Sequence, residues 1–578
     1  MKWFSRGGGK SATEQFQAGT AAAQRGQFDA AIAALRRAVE LDPSLAAAHC
    51  NLGSVYKDKG ALDSALMSYL RAAALDPRLM EAHYGLGQVL SDQRRWEEAA
   101  ESFARAIALA PDSPDAHYEA GHAQLAVGNW RQALKHYRRA VALRPGFAKA
   151  RWTLVMAQLA PVPDAETDPE ERRRAFAREL EAFARWVQRG QHPEAWRVVG
   201  VQMPFYLAYQ EAPNRELLAR YGALCTSLMA SWQQAQGFAP RQRPERDRVR
   251  VGIVSAHFAN HSVWTGIVRG WIEDLDRERI ELELFHLGGQ EDAETHRAQT
   301  LAARFHAGAG DFAHWARTIA ERELDLLIYP EIGMDSTTTK LACLRLAPVQ
   351  AASWGHPETT GLPTIDYFIS AQDLEPPGAE EHYTETLVKL PGLGARYLAA
   401  PVRADPAAAD GLTAGVKTPL FVCVGTPFKY APGNDRLLVD IARRCGGTLM
   451  FFVGKPAPLS DLLRERLRRA FAKGGVDFDG HARFVPWQSS AAFHGLLARA
   501  DVCLDTIGFS GFNTAMQAAL AGIPMVTREG RFMRGRLASA ILRRLGAPEL
   551  IAATDAEYVE IAVALARDRA RRVALGRR

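Results

Sequence analysis

A period of 34 residues runs through the first quarter of the chain and constrains its fold more than any other feature. Gly19, Gly53, Gly87 and Gly121 are spaced by it, as are Ala31, Ala65, Ala99 and Ala133. Ala38, Ala72, Ala106 and Ala140 hold a third register, Pro43, Pro77, Pro111 and Pro145 a fourth, and Leu35, Tyr69, Phe103 and Tyr137 a fifth. Each period fits two amphipathic helices: small residues let the pair approach closely, and the proline stops the second helix. Four such units over residues 12–147 form an α-helical solenoid, in which each unit packs only on its neighbours.

These registers resemble tetratricopeptide repeats. Such an array presents a concave groove and carries no chemistry of its own, so its expected task is to hold a polypeptide or to make a dimer contact. His49, His83 and His117 also recur at the period. They stand where these repeats place a packing aromatic, which favours a packing role over a histidine-lined groove.

A chain of 578 residues exceeds one domain several times over, and 47% hydrophobic with 24% charged residues is globular composition, which excludes a largely disordered or collagenous chain. Of the formal charge of +6, the final stretch Arg567–Arg578 supplies most, with six Arg against one Asp. The remainder is nearly neutral, so nucleic acid is not the expected partner. The six cysteines are scattered, with neither a CxxC pair nor zinc-finger spacing, and reduced thiols are expected. No apolar run reaches the roughly 18 residues that span a bilayer, and Met1–Lys10 lacks a signal peptide's apolar centre. The expected location is cytoplasmic, with no membrane span.

Residues 148–245 read as a helical linker with a proline-containing break at Pro161–Pro169 and a polar stretch at Arg241–Arg250. Thereafter short apolar runs alternate with helix-length stretches. Val249–Val254, Leu282–Leu287, Leu324–Tyr329, Val349–Ser353 and Ile365–Ile369 form one series. Leu420–Val424, Thr448–Val453, Ala482–Val485, Val502–Leu504 and Pro524–Val526 form a second, after the Ala- and Gly-rich Ala399–Gly415. Alternation of this kind implies two doubly wound α/β domains, residues 246–410 and 411–578, with ligands at the carboxyl ends of the strands.

Several phrases at those positions carry a resemblance. They are Phe205-Tyr-Leu-Ala-Tyr-Gln210 before the first domain, Val254-Ser-Ala-His-Phe-Ala-Asn-His261, Trp354-Gly-His-Pro-Glu-Thr-Thr-Gly361, Gly425-Thr-Pro-Phe-Lys429, Asp501-Val-Cys-Leu-Asp-Thr506 and Gly511-Phe-Asn-Thr514. In this order they resemble the protein O-GlcNAc transferase family, which includes the bacterial N-glucosyltransferases and repeat-bearing flagellin glycosyltransferases. The resemblance implies a GT-B glycosyltransferase of two Rossmann-like domains behind the repeats. It also exposes departures. The asparagine ladder that lines the family's groove is essentially missing, its positions holding Gln17, Asn51, Gly85 and Glu119. Gln517 stands where family members grip the ribose with aspartate, and Phe512 replaces a histidine of the O-GlcNAc branch. His356 is shared with the N-glucosyltransferase branch.

Sugar transfer from a nucleotide diphosphate leaves negative charge on the departing phosphate, and a fixed cation there lowers the barrier. Lys429 suits that role, with Thr426 in the same loop and Asn513 and Thr514 opening a helix whose N–H groups favour an anion. His261 is the group expected to titrate near neutrality and to orient or deprotonate the acceptor. The resemblance implies donor contact for His356, whose other reading is a turn-stabilising residue; Gln517 completes the donor set. The triplets Asp274-Leu-Asp276 and Asp477-Phe-Asp479 lie away from nucleotide-binding strand ends and read as surface charge, so no metal or other cofactor is expected. The expected activity is inverting transfer of GlcNAc from UDP-GlcNAc to Ser or Thr of a protein selected by the repeats. Two other readings stand beside it. One keeps the enzyme and changes the chemistry, to UDP-glucose onto Asn or a nonulosonic acid onto flagellin; the other is a non-catalytic repeat scaffold.

Overall fold

The computed structural model describes residues 11–190, 192–237, 246–289, 291–398, 402–454 and 458–578. The expectations placed on Met1–Lys10, on the first half of Arg241–Arg250 and on the start of Ala399–Gly415 lie outside them. The chain divides into two compact units, Met1–Ala157 and Gln158–Arg578.

In the first unit, four helix pairs follow one another: α1 (Ala12–Gln24) with α2 (Phe28–Leu41), α3 (Ala46–Asp58) with α4 (Leu62–Leu75), α5 (Met80–Asp92) with α6 (Trp96–Leu109), and α7 (Pro114–Ala126) with α8 (Trp130–Leu143). The 34-residue registers have a steric origin. A Cβ on Gly19, Gly53, Gly87 or Gly121 would stand 2.7, 2.9, 2.6 or 2.5 Å from Leu35, Tyr69, Phe103 or Tyr137, so each glycine is the seat of the large residue in its own pair. Gly85 has the same cause, because a Cβ there would lie 2.3 Å from the Tyr69 ring. The recurring histidines are turn locks. The Nε2 atoms of His49, His83 and His117 lie 3.3, 3.0 and 3.0 Å from the carbonyl oxygens of Pro43, Pro77 and Pro111. Arg151, at the next register, donates to the Pro145 carbonyl at 2.9 Å. A ninth helix, α9 (Ala148–Met156), packs on α8 and buries Trp152, covering the apolar face that the last repeat would otherwise expose.

The second unit opens with α10 (Pro169–Arg189) and α11 (Arg215–Ala235). Its first sheet comprises β1 (Val249–Ser255), β2 (Ile280–His286), β3 (Arg304–His306), β4 (Leu326–Tyr329), β5 (Val349–Ser353), β6 (Tyr367–Ala371) and β7 (Thr386–Leu390). The strands are parallel in the order β3-β2-β1-β4-β5-β6-β7. The second sheet comprises β8 (Leu420–Cys423), β9 (Thr448–Phe452), β10 (Ala482–Val485), β11 (Val502–Leu504), β12 (Met525–Arg528) and β13 (Ile551–Ala552), parallel in the order β10-β9-β8-β11-β12-β13. Both orders are doubly wound, with topological switch points between β1 and β4 and between β8 and β11. Of the largest fully buried side chains of this unit, Phe285, Tyr329, Phe368, Phe421 and Phe451 lie on the strands, Phe176 and Phe183 on α10, and Trp264 on the helical segment that follows β1.

Among the described residues no helix is long and apolar enough to cross a membrane. The two acidic triplets have structural partners: Asp274 pairs with Arg396 at 2.9 Å, Asp276 accepts the Glu278 amide at 3.0 Å, Asp479 pairs with Arg468 at 2.7 Å, and Asp477 precedes the short helix Phe478–His481. The basic terminus folds as the helix Arg569–Arg577, where Arg572 pairs with Asp501 and Arg578 with Glu549, each at 2.7 Å.

Candidate active site

The two switch points gather the sequence-derived residues in two groups. His261 follows β1. Its ring stacks on His257, centroids 4.0 Å apart, and its Nδ1 accepts the Val263 amide at 3.3 Å. That bond leaves the ring proton on Nε2. Burial, reinforced by His257, pushes its pKa down to about 4, so His261 is a neutral imidazole at pH 7 and not the group titrating near neutrality that its sequence position suggests. In this state it donates through Nε2 and is a poor base.

His356 sits in the loop after β5. That loop is pressed against α11: a Cβ on Gly222 would lie 2.0 Å from the Gly361 carbonyl oxygen, and Gly361 itself holds φ +69°, so bare backbone is required on both sides. The His356 ring stacks on Phe205 at 5.2 Å and 17°, and burial together with Arg534 pushes its pKa down to about 4. With Met203, Phe205, Gly333 and Thr339 it lines a small cavity of about 40 Å³.

The second group lies across the switch point of the other sheet. After β8 the chain turns through Gly425 and Thr426 into the single helical turn Pro427–Lys429, closed by the Lys429 amide on the Thr426 carbonyl at 2.9 Å. The Lys429 Nζ rests 4.5 Å from the centre of the Phe509 ring. Burial lowers its pKa to about 8, opposed by the charge of Asp505. The Thr426 hydroxyl oxygen is buried and has no hydrogen-bond partner among the described residues. An anion at this loop would supply one.

After β11, Asp505 anchors the next loop. It accepts from Ser510 at 2.6 Å, Thr527 at 2.7 Å and the Gly511 amide at 3.0 Å, while burial pushes its carboxyl pKa up. The loop then enters the helix Asn513–Leu520, whose first N–H groups have no partner within the helix. The Asn513 Oδ1 accepts the Tyr397 hydroxyl at 2.7 Å. Thr514 lies in the first turn, and Gln517, half-buried, follows Asn513 by four residues on the same helical face. Phe512 packs edge-on against Trp354 at 4.8 Å, which joins this loop to the one carrying His356.

Sequence reasoning missed the residues that hold these loops. Segment 204–214 spans both domains. Phe205 and Tyr209 pack on Phe428 at 5.9 and 4.6 Å, and Tyr209 stacks on Phe509 at 4.4 Å. Arg534 bonds the carbonyls of Gln210 and Ala212 at 3.0 and 2.7 Å and pairs with buried Glu358 at 3.0 Å. Asn214 donates to the same Glu358 at 2.7 Å, and Arg173 donates to Asn214. The segment's aromatic composition was visible in the sequence; Arg534 had no signal, standing in a run of arginines that reads as surface charge.

A repeat array followed by two doubly wound domains, with a buried lysine and an unpartnered threonine hydroxyl at the second switch point, places the chain in the class of repeat-bearing proteins with a GT-B-like architecture. Residues 203–393 and 493–578 match the model of glycosyl transferase family 41. Residues 19–60, 53–94, 80–113 and 114–147 match tetratricopeptide repeat models. Among curated proteins, the chain is 27% identical over 350 residues to the probable UDP-N-acetylglucosamine:peptide N-acetylglucosaminyltransferase SPINDLY of Petunia hybrida, covering 59% of this chain and 36% of that protein. It is 29% identical over 290 residues to the UDP-glucose:protein N-beta-glucosyltransferase of Actinobacillus pleuropneumoniae, covering 48% of this chain and 45% of that one. The match thus spans less than half the length of either relative. A lysine-to-methionine mutant of Thermobaculum terrenum O-GlcNAc transferase superimposes with a TM-score of 0.63 at 25% identity, covering 92% of both chains.

Proposed function

We propose that the chain is an inverting protein glycosyltransferase that moves GlcNAc from UDP-GlcNAc to a Ser or Thr hydroxyl of a polypeptide held by its repeats. The observation that carries this reading is the pairing, at the β8–β11 switch point, of Lys429 and the unpartnered Thr426 hydroxyl with the helix start at Asn513. The acceptor oxygen bonds to the anomeric carbon as the bond from that carbon to the diphosphate breaks, and the hydroxyl proton passes to a phosphate oxygen of the departing diphosphate. The departing phosphate takes the electron pair, and Lys429 meets the charge. His261 orients the acceptor by donating from Nε2. His356 and Phe512 favour a second reading, UDP-glucose onto Asn, in which the same machinery acts on another sugar and another nucleophile.

Calorimetry of wild type and Gln517→Asp against UDP-GlcNAc, UDP-glucose and a CMP-linked sugar acid tests the donor. An ionised acceptor bonds ribose hydroxyls more strongly than an amide, so the variant is expected to hold the UDP-sugar as tightly or tighter. Binding of wild type to the CMP donor alone would overturn both readings. Lys429 supplies the cation in this mechanism, so activity is expected to persist in EDTA; loss on chelation with recovery on adding manganese would replace the lysine mechanism by a metal-assisted one.

A further inference from the structure

Lys429 is not simply placed in the site; it is seated. Its Nζ lies over the face of Phe509 at 4.5 Å, within the range of a cation–π contact. Phe509 is 7% exposed, and its backbone is pinned by the Thr506 hydroxyl, which donates to the Phe509 carbonyl at 2.7 Å. Tyr209 stacks against Phe509 at 4.4 Å and 26°, and is itself held edge-on by Phe428 at 4.6 Å. Phe509 comes from the second domain and Tyr209 from the segment that precedes the first, so the ring under the lysine is backed by a second element of the chain.

We infer that Phe509, backed by Tyr209, is the positioning residue of Lys429: its ring face holds the ammonium charged and aimed at the leaving phosphate before the donor arrives. This rests on the reading of Lys429 as the leaving-group cation. A buried ammonium loses hydration, and here the quadrupole of one aromatic face and the carboxylate of Asp505 replace it. Among the described residues, the other ionisable groups lining the same cavity as Lys429 are Cys423, Tyr430 and Tyr558, with Asp435, whose charge is engaged by Arg466 at 2.8 Å. Taking the ring away leaves Asp505 as the remaining support for the charged form.

The test is the pH dependence of kcat/KM, which reports the free enzyme. For wild type, activity should fall as pH rises through about 8, where Lys429 loses its proton. Phe509→Leu is expected to move that alkaline limb down by roughly one pH unit and so to lower kcat/KM about fivefold at pH 8, with the acceptor KM little changed. Phe509→Tyr, which restores an aromatic face, should return the limb to its wild-type place. Tyr209→Leu, which keeps Phe509 but removes its backing, should shift the limb in the same direction by less, and it carries the test if Phe509→Leu fails to fold. An unmoved limb in the leucine variants, alongside an inactive Lys429→Ala, would overturn the inference and leave the reading of Lys429 standing. A Lys429→Ala variant with wild-type turnover would overturn that reading itself.

Discussion

Replacing Lys429 by alanine is expected to lower kcat on the order of a hundredfold or more, the loss found when one preorganised electrostatic stabiliser is removed from a site. The melting temperature should move little. Among the described residues the ammonium makes its contact with the Phe509 face and no ion pair, so its removal leaves no buried charge stranded except the Asp505 carboxylate, already held by Ser510, Thr527 and the Gly511 amide. Acceptor KM should be nearly unchanged, because the charge is needed where negative charge develops. Steady-state kinetics at saturating donor, with a thermal melt on the same preparation, decide it. Turnover within a few-fold of wild type would reject the assignment.

The fold was legible in the sequence where side chains repeat or alternate. The glycine register of the repeats encodes a contact with one large residue, so a purely local spacing reported a packing event. Nine of the ten apolar runs of the second half lie on strands inside their sheets, where a parallel strand buried on both faces must be apolar, and the tenth, β10, is an edge strand of mostly half-buried residues. The strands that escaped notice, β3, β7 and β13, are each at an edge of a sheet. An edge strand is short or half solvated, and β7, Thr-Leu-Val-Lys-Leu, has its residues exposed or half-buried. Such a stretch carries a weaker apolar signal than an interior strand, and of the four edge strands only β10 shows it.

The site was legible only in part, for a related reason. Loops that follow strands carry residue types suited to the chemistry, which marks His261, Lys429, Asn513 and Thr514, while His356, Thr426 and Gln517 stand out through the family resemblance. Their electrostatic state was not readable there. His261 and His356 are held neutral by burial, which is a property of what surrounds them. Equally hidden were contacts between residues hundreds of positions apart: Tyr209 with Phe509, Phe512 with Trp354, and Arg534 with Glu358. Each joins two segments that a reading of local pattern treats separately.

Arg534→Ala carries the second large expectation, a loss of about 3–5 kcal/mol in the stability of the second unit, the cost of breaking a buried ion pair from one side. Side-chain exposures of 3% and 6% place Arg534 and Glu358 out of water, so the truncated variant strands the Glu358 carboxylate with Asn214 as its remaining donor. The carbonyls of Gln210 and Ala212 lose their partner in the same step. Because segment 204–214 carries Phe205 and Tyr209, loosening it should also lower turnover, as His356 and Phe509 both lean on those rings. Glu358→Ala should cost a comparable amount, since it leaves the guanidinium unpaired. The double variant Arg534→Ala with Glu358→Ala is then expected to lose less than the sum of the two, because removing both partners leaves no lone charge behind. Urea unfolding of the single and double variants measures all three values. Additive losses, or an Arg534→Ala variant within about 1 kcal/mol of wild type, would show that the pair is ornamental to the joint between the domains; a shortfall from additivity of about 2 kcal/mol or more would locate that joint at Arg534 and Glu358.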